Sequence, residues 1–450
     1  MSGVSLVLLA VLGQTVGADP LDLVPRLGAP RFSDRENAAG RLEQLGRASL
    51  NALHAARDAK DPEIRARATA LIGKIEASLL TKASLVRLDF EDAPLPNVIR
   101  SFAEQTGIKL SLVPETSPLW ANRRVTLRAG APLPFWKAID RLCEAARLHY
   151  LEGTHLPGGR EPTFPLFDGS DRPLMPVSDY GPFRVGVVGI HFQRDFSFVT
   201  PDQARRTRPG QGVAAKPAAT LNEQFYVQLQ VTAEPRLSVA QGGTMTITEA
   251  LDERGNRLIN PPTPANGMTE RVSGYFGFAP GPVVQLQGAL NRPRQAGATI
   301  KRLKGMIPLA VSMRKANPLV VALAGASGRT FQNDDVALTV HESKPPENNR
   351  PGTLEITLRA PGGTGNASAT DFSASDLAVR PDVHQQQIEV VDGQGRLLPW
   401  YQSNFDVEAG RLTMMFPAQE PGATPVELRY YGLTNALTEA PFEFADLPLP

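Results

Sequence analysis

"LDFEDAPLPNVIRSFAEQTGI", Leu88 to Ile108, changes its period halfway. Leu88 and Phe90 alternate with acids, as in a strand with one buried face, whereas Leu95, Val98, Ile99, Phe102 and Ala103 fall three and four apart, along one side of a helix. Gly107 supplies a helix stop, and Ile108, Leu110 and Leu112 supply the next strand. A shift of 40 residues repeats the stripe, with Phe135, Ala138, Ile139, Leu142 and Cys143 taking the same five places. The second copy is preceded by Val125 and Leu127 of "RVTLRAG" and followed by Leu148 and Tyr150 of "LHYLE". A strand-helix-strand unit used twice predicts a small α/β layer, two helices on one face of a short sheet.

On either side the pattern differs. Residues 30–80 are helical in character: "SDRE" from Ser33 has the spacing of a capping box, and "DPE" from Asp61 caps a helix whose Ile64, Ala68, Leu71, Ile72, Ile75 and Leu79 form one stripe. Residues 153–182 are rich in proline and glycine without a sustained period and are expected to form a connection. From Phe183 onward short alternating runs separated by turn residues predict an all-β region. Within it "EALDERGNRLINP" (Glu249 to Pro261) matches "EVVDGQGRLLPWY" (Glu389 to Tyr401), with Asp252 over Asp392, Gly255 over Gly395 and Leu258 over Leu398. The economical inference is two sandwich-like bodies divided near "SKPPENNRPG", Ser343 to Gly352, a segment that also fits a long hairpin loop inside one larger unit. The expected fold class is multidomain α+β.

Composition bounds function. The 450 residues include 47 basic and 46 acidic side chains, a near balance that offers no global field to draw in nucleic acid. "MSGVSLVLLAVLGQTVGADP" resembles a secretory signal peptide cleaved after Ala18, although no Lys or Arg precedes its apolar run. That run is too short to span a bilayer, and no integral membrane span is expected. The single cysteine, Cys143, excludes an internal disulfide and belongs on a buried helix face.

Candidate chemistry is thin. None of the histidines, at 54, 149, 155, 191, 341 and 384, has the i, i+4 partner of a helical zinc pair. "LAGASGR" (Leu323 to Arg329) and "GGTGNAS" (Gly362 to Ser368) lack a P-loop lysine. Asp252 with Glu253, and Asp334 with Asp335, are explained by turns, as are Asp89, Glu91 and Asp92. The basic run Ala204 to Lys216 has no interleaved aromatics to stack bases. Aromatics cluster in "SGYFGF" and "RYYG", where strand packing is the plain account and carbohydrate stacking the functional one. No catalytic, cofactor-binding or metal-ligating residue is nominated, and no cofactor is implied.

"VRLDFEDAPLPNVIRSFAEQTGIKLSLVPE" with "RRVTLRAGAPLPFWKAIDRLCEAARLHY" resembles the short N-terminal (STN) domain of secretins and TonB-dependent receptors, over residues 85–152. The resemblance implies a periplasmic interaction module without catalysis. Nothing after residue 152 resembles a secretin pore or a receptor barrel. "LGAPRFSDRENAAGRLEQLGRASLNALHAARDAKDPEIRARATALIGKI" resembles a HEAT-like helical unit, which implies a face covered by a neighbour. The expected organisation is therefore a signal peptide at 1–18, a HEAT-like unit at 19–82, an STN-like module at 83–152, a linker at 153–182 and β-sandwich domains at 183–343 and 344–450. The expected function is that of an exported, non-catalytic scaffold, periplasmic or secreted, that binds envelope proteins by strand addition to a sheet edge. The alternative is a carbohydrate-binding or carbohydrate-active protein built on the sandwiches.

Overall fold

The structure, a computed structural model, describes residues 19–151, 163–169, 175–198, 219–259, 283–293, 295–346, 350–359, 387–406, 409–417 and 424–450. The segment read as a signal peptide, at 1–18, lies outside them. The chain divides into two compact units, Met1–Leu79 and Leu80–Pro450.

The first unit is helical: α1 (Pro20–Leu23), a 3-10 turn, α2 (Phe32–Leu45), α3 (Arg47–Ala55), a second 3-10 turn and α4 (Pro62–Thr81). Asp61 accepts from the amide of Glu63 at 2.8 Å and so caps α4, as its sequence requires. Ser33 does not cap α2. That helix begins one residue earlier, at Phe32, with Arg31 at the cap, and Arg35 donates instead to the carbonyls of Ala29 and Pro30. Ala68, Leu71, Ile72 and Ile75 of the predicted stripe are buried.

The second unit begins with β1 (Leu85–Val86), β2 (Asp89–Pro94), α5 (Leu95–Thr106), β3 (Lys109–Val113), α6 (Leu119–Asn122), β4 (Arg124–Arg128), β5 (Leu133–Pro134), α7 (Phe135–Ala146), β6 (Leu148–His149) and β7 (Thr163–Asp168). The 40-residue echo is visible in the backbone: α5 follows Pro94 and ends on Gly107, α7 follows Pro134 and ends on Arg147, and both final residues are left-handed. The two apolar stripes join Trp136, Phe164 and Leu166 in one core. The expected single sheet is instead three small ones, β1-β5, β2-β4 and β3-β7-β6. A second difference is β7, which lies inside the stretch read as a linker yet pairs in parallel with β3 and antiparallel with β6. Pro165 argues against a central strand, but β6 reaches only Asp168 and Phe167, so Pro165 has a strand on one side only.

The remaining strands are β8 (Val177–Tyr180), β9 (Phe183–Phe198), β10 (Ala219–Ala233), β11 (Ser238–Gln241), β12 (Thr246–Asp252), β13 (Val283–Ala289), β14 (Thr299–Arg314), β15 (Leu319–Ala322), β16 (Thr330–Gln332), β17 (Ala337–Lys344), β18 (Gly352–Arg359), β19 (Ile388–Asp392), β20 (Tyr401–Asp406), β21 (Arg411–Phe416), β22 (Pro425–Tyr430) and β23 (Leu433–Pro448). They form two bodies with one pairing path. In the first, the β9-β10 hairpin is joined by β13, while β12 and β11 pair with β14; in the second, the β17-β18 hairpin is joined by β21, while β19 and β15 pair with β22. The second body encloses a single core drawn from both of its sheets, including Val340, Ile356, Val390, Met414 and Leu428.

The division expected at 343/344 is corrected by this pairing. β17 and β18 pair as the two arms of a hairpin, Lys344 with Thr353, and Leu338, Val340, Leu354 and Ile356 alternate into one shared core. The true seam runs elsewhere. β23 returns to pair with β14 over their whole length, from Arg314↔Leu433 to Thr299↔Pro448, and the amide of Lys315 donates to the carbonyl of Gly432 at 2.9 Å. Residues 315–432 are thus inserted between two arms of a hairpin of the first body. Among the described residues no helix is long and apolar enough to cross a membrane.

Candidate functional site

Arg184, next to the start of β9, is fully buried at 0% exposure. A buried guanidinium is costly unless its donors are met. Here Nε and Nη2 grip Asp179 at 2.6 and 2.8 Å, while Nη1 and Nη2 grip Asp140 of α7 at 3.0 and 2.7 Å. Nη1 also donates to the Tyr150 hydroxyl, which itself donates to Asp140 at 3.0 Å, and the guanidinium carbon lies 5.0 Å from the Trp136 ring centre. Burial works to lower the Arg184 pKa, but the hydrogen bonds it donates to Asp179 and Asp140 outweigh it and hold the group raised and charged.

Two further contacts close the same joint. Trp136 Nε1 donates to the Pro182 carbonyl at 3.1 Å. Glu234, also fully buried, accepts from the Ser84 amide and hydroxyl at 2.8 and 2.7 Å and from Arg236 Nε at 2.9 Å, while Arg236 Nη2 reaches the Lys82 carbonyl. The module of α5 and α7 is thereby fastened to the first β body by charged groups, of which Arg184 and Glu234 are fully buried.

A cavity of about 760 Å³ opens beside this joint, lined by Tyr150, Met175, Val187, Ile190, Gln230 and Leu449 among others. Its size suits a ligand site, and its walls are mostly apolar. Along it runs β9. β8 covers the outer side of β9 only at Phe183–Gly186, with the Val187 amide bonded to Pro176 just beyond; Val188 is then skipped by the register with β10, as in a bulge, and is exposed. From there to Phe198 no described strand lies on that side of β9. Farther along, Phe196 and Leu221 sit opposite each other with 60% and 48% exposure.

The residues singled out from sequence fall as follows. Cys143 is buried in the α7 core. His149 stacks on Phe167, His191 on Tyr226, His341 meets Thr357, and His54 lies 3.8 Å from Glu76. No group of three or more His, Cys, Asp or Glu positioned for a metal occurs among the described residues. Glu91 and Asp92 pair with Arg128 and Arg124 at the surface. Asp335 pairs with Lys315, and Glu253 accepts from the Ala298 amide and the Thr299 hydroxyl. In "RYYG", Tyr430 is core and Tyr431 donates to Glu389 beneath the Arg314 guanidinium, so neither is an open stacking platform. "LAGASGR" forms turns in which the Ala326 amide donates to the Leu323 carbonyl and the Arg329 amide to the Ala326 carbonyl, while the Gly328 amide donates to the Val340 carbonyl of β17. Residues 204–216, 273–278 and 362–368, with His155 and His384, lie outside the described residues.

Asp252 and Asp392 are brought to matching positions rather than to one site. Each is buried, and one oxygen of each accepts from the amides two and four residues on, at 2.9 and 2.7 Å in the first and 2.9 and 2.8 Å in the second. Arg184, Glu234 and Val188 were missed by sequence reasoning. The available signal was an arginine flanked by Phe183 and Val185 at the start of an apolar strand.

No family model, no curated protein and no solved structure matches the chain.

Proposed function

We propose that the protein is an exported, non-catalytic interaction scaffold of the bacterial cell envelope, assembled from a HEAT-like helical unit, an STN-like module and two β-sandwich bodies. The observation that carries this reading is the apolar cavity beside the Arg184 joint, whose wall includes Val188, Gly189 and Ile190, where the stretch of β9 with no described strand on its outer side begins. An extended peptide fits such a place: its backbone pairs with the strand edge, and its alternate side chains enter the apolar space. The buried joint contributes rigidity, so the cavity is pre-formed and a partner loses less entropy on docking.

The test uses the immobilised protein and an envelope extract, with Val188→Asp as control. Val188 is already exposed, so the variant retains its fold. A specific protein partner held by wild type and lost by the variant, with amides of residues 188–196 gaining exchange protection in the complex, is the expected result. Retention of a defined glycan on an array, with no protein partner, would establish the carbohydrate alternative instead. Export is tested by N-terminal sequencing of the mature protein, expected to start at Asp19.

A further inference from the structure

We propose that the first half of β23 is the seam of a homodimer, formed by antiparallel pairing with the same strand of a second copy. β23 has β14 along one side, and among the described residues no strand pairs with its other side. Toward the C-terminus that outer side meets β8, where the Glu443 amide donates to Ser178 Oγ at 3.3 Å. This bond fixes the direction of the backbone groups. Because they alternate along a strand, the amides and carbonyls of Leu433, Asn435, Leu437 and Glu439 point outward with that of Glu443, and the amide that Pro441 lacks would have pointed outward too.

The open stretch, "LTNALT" from Leu433 to Thr438, carries no charge, no proline and no glycine. Its register with β14 is unbroken, so no bulge twists it away. Edges that stay single are blunted by one of these devices or covered. Leu437, with 72% exposure, is the most exposed large apolar side chain among the described residues.

An edge of this kind is satisfied by another extended backbone. Beside Leu437 lie Ala310, which is buried, and Ser312 and Asn435, all too short to form the pockets by which a foreign strand would be read. Self-pairing about Ala436 sets Asn435 against Leu437 and Leu433 against Glu439, and leaves Pro441 outside the paired span. The two Glu439 carboxylates then sit at opposite ends of the seam, about 20 Å apart for six residues at ~3.4 Å each. The seam is uncharged between them and complementary to itself, as a two-fold interface requires.

The proposal is independent of the envelope reading and is tested on the intact chain by analytical ultracentrifugation with Leu437→Lys. Wild type is expected to sediment as a concentration-dependent dimer, with the Asn435 and Leu437 amides protected from exchange in proportion to dimer. The lysine, placed on a side chain already in solvent, is expected to raise the dissociation constant about tenfold or more while leaving the monomer's circular dichroism unchanged. A wild-type monomer at every concentration overturns the proposal. So does a dimer that Leu437→Lys leaves intact while those two amides exchange freely.

Discussion

Asp252 and Asp392 each hold a tight turn with one carboxylate. Gly255 and Gly395 sit at φ 79° and 76° in these turns, a conformation glycine adopts without Cβ strain. Burial works to raise both acids, but the donors outweigh it. For Asp252 these are the Asn256 side chain and the amides of Gly297, Asn256 and Arg254; for Asp392, the Arg396 amide and guanidinium and the Gln394 amide. Both carboxyls are therefore held below their ordinary value. Their contribution to folding is complete above that value, about pH 4, and is lost as pH falls through the depressed folded-state values. Asparagine at both positions keeps an oxygen for the amides but turns an NH₂ group toward Asn256 and Arg396. Urea unfolding at pH 7 and pH 3 is expected to show a lower midpoint for Asp252→Asn/Asp392→Asn at pH 7 and a smaller loss on acidification than in wild type; parallel losses would sink the assignment. This pair was legible in the sequence because an Asp-x-x-Gly turn is local. Arg184 was not, since its partner Asp140 is 44 residues away and only the packed joint makes the arginine buried.

At the scale of elements, the β14-β23 hairpin carries the second body as its loop. The ends of that insertion meet at Lys315 and Gly432, and its core, from Val321 to Tyr430, is supplied entirely from within. Arg314 ties it back, bridging to Glu389 at 2.8 Å and lying over the Tyr431 ring, while Lys315 meets Asp335 inside the insertion. Replacing residues 315–432 by an Asn-Gly turn is expected to leave a folded first body, since that dipeptide suits the twist of a two-residue hairpin. The excised segment is expected to unfold cooperatively by itself. Loss of dispersed amide resonances in either piece would show that the Arg314 contacts matter more than the separate cores. The two helices and most strands were legible because their apolar periods are regular, whereas the return of β23 to β14 was not. Pairing across more than a hundred residues leaves no local trace, and Pro308 in β14 hides the strand further. It is tolerated because β12 and β11 divide that side of β14, their registers ending at Met306 and beginning at Leu309, on either side of the proline.

For the whole second unit the decisive question is whether the α5-α7 module and the first β body unfold together. Arg184, Glu234 and Trp136 make their interface a polar network in which the Arg184 guanidinium, the Glu234 carboxylate and the Trp136 ring nitrogen all find partners. Such a network adds little over a well-packed apolar joint, yet removing one member strands the others. Arg184→Met leaves Asp140 and Asp179, which are 31% and 18% exposed, facing each other's charge without the cation between them. The expected cost is about 3 kcal/mol. Arg184→Lys is expected to recover little of it, because one ammonium does not span two carboxylates as the guanidinium fork does. Trp136 lies under that guanidinium, so with Trp120 and Trp400 replaced by phenylalanine its fluorescence reports on the joint alone. In that background the tryptophan signal and the far-ultraviolet strand signal are expected to change at one denaturant midpoint. Arg184→Met is expected to move the tryptophan transition to lower denaturant and separate it from the strand signal. If the two transitions are already separate with Arg184 present, the joint does not couple the module to the β body, and the cavity beside it is not held in one shape.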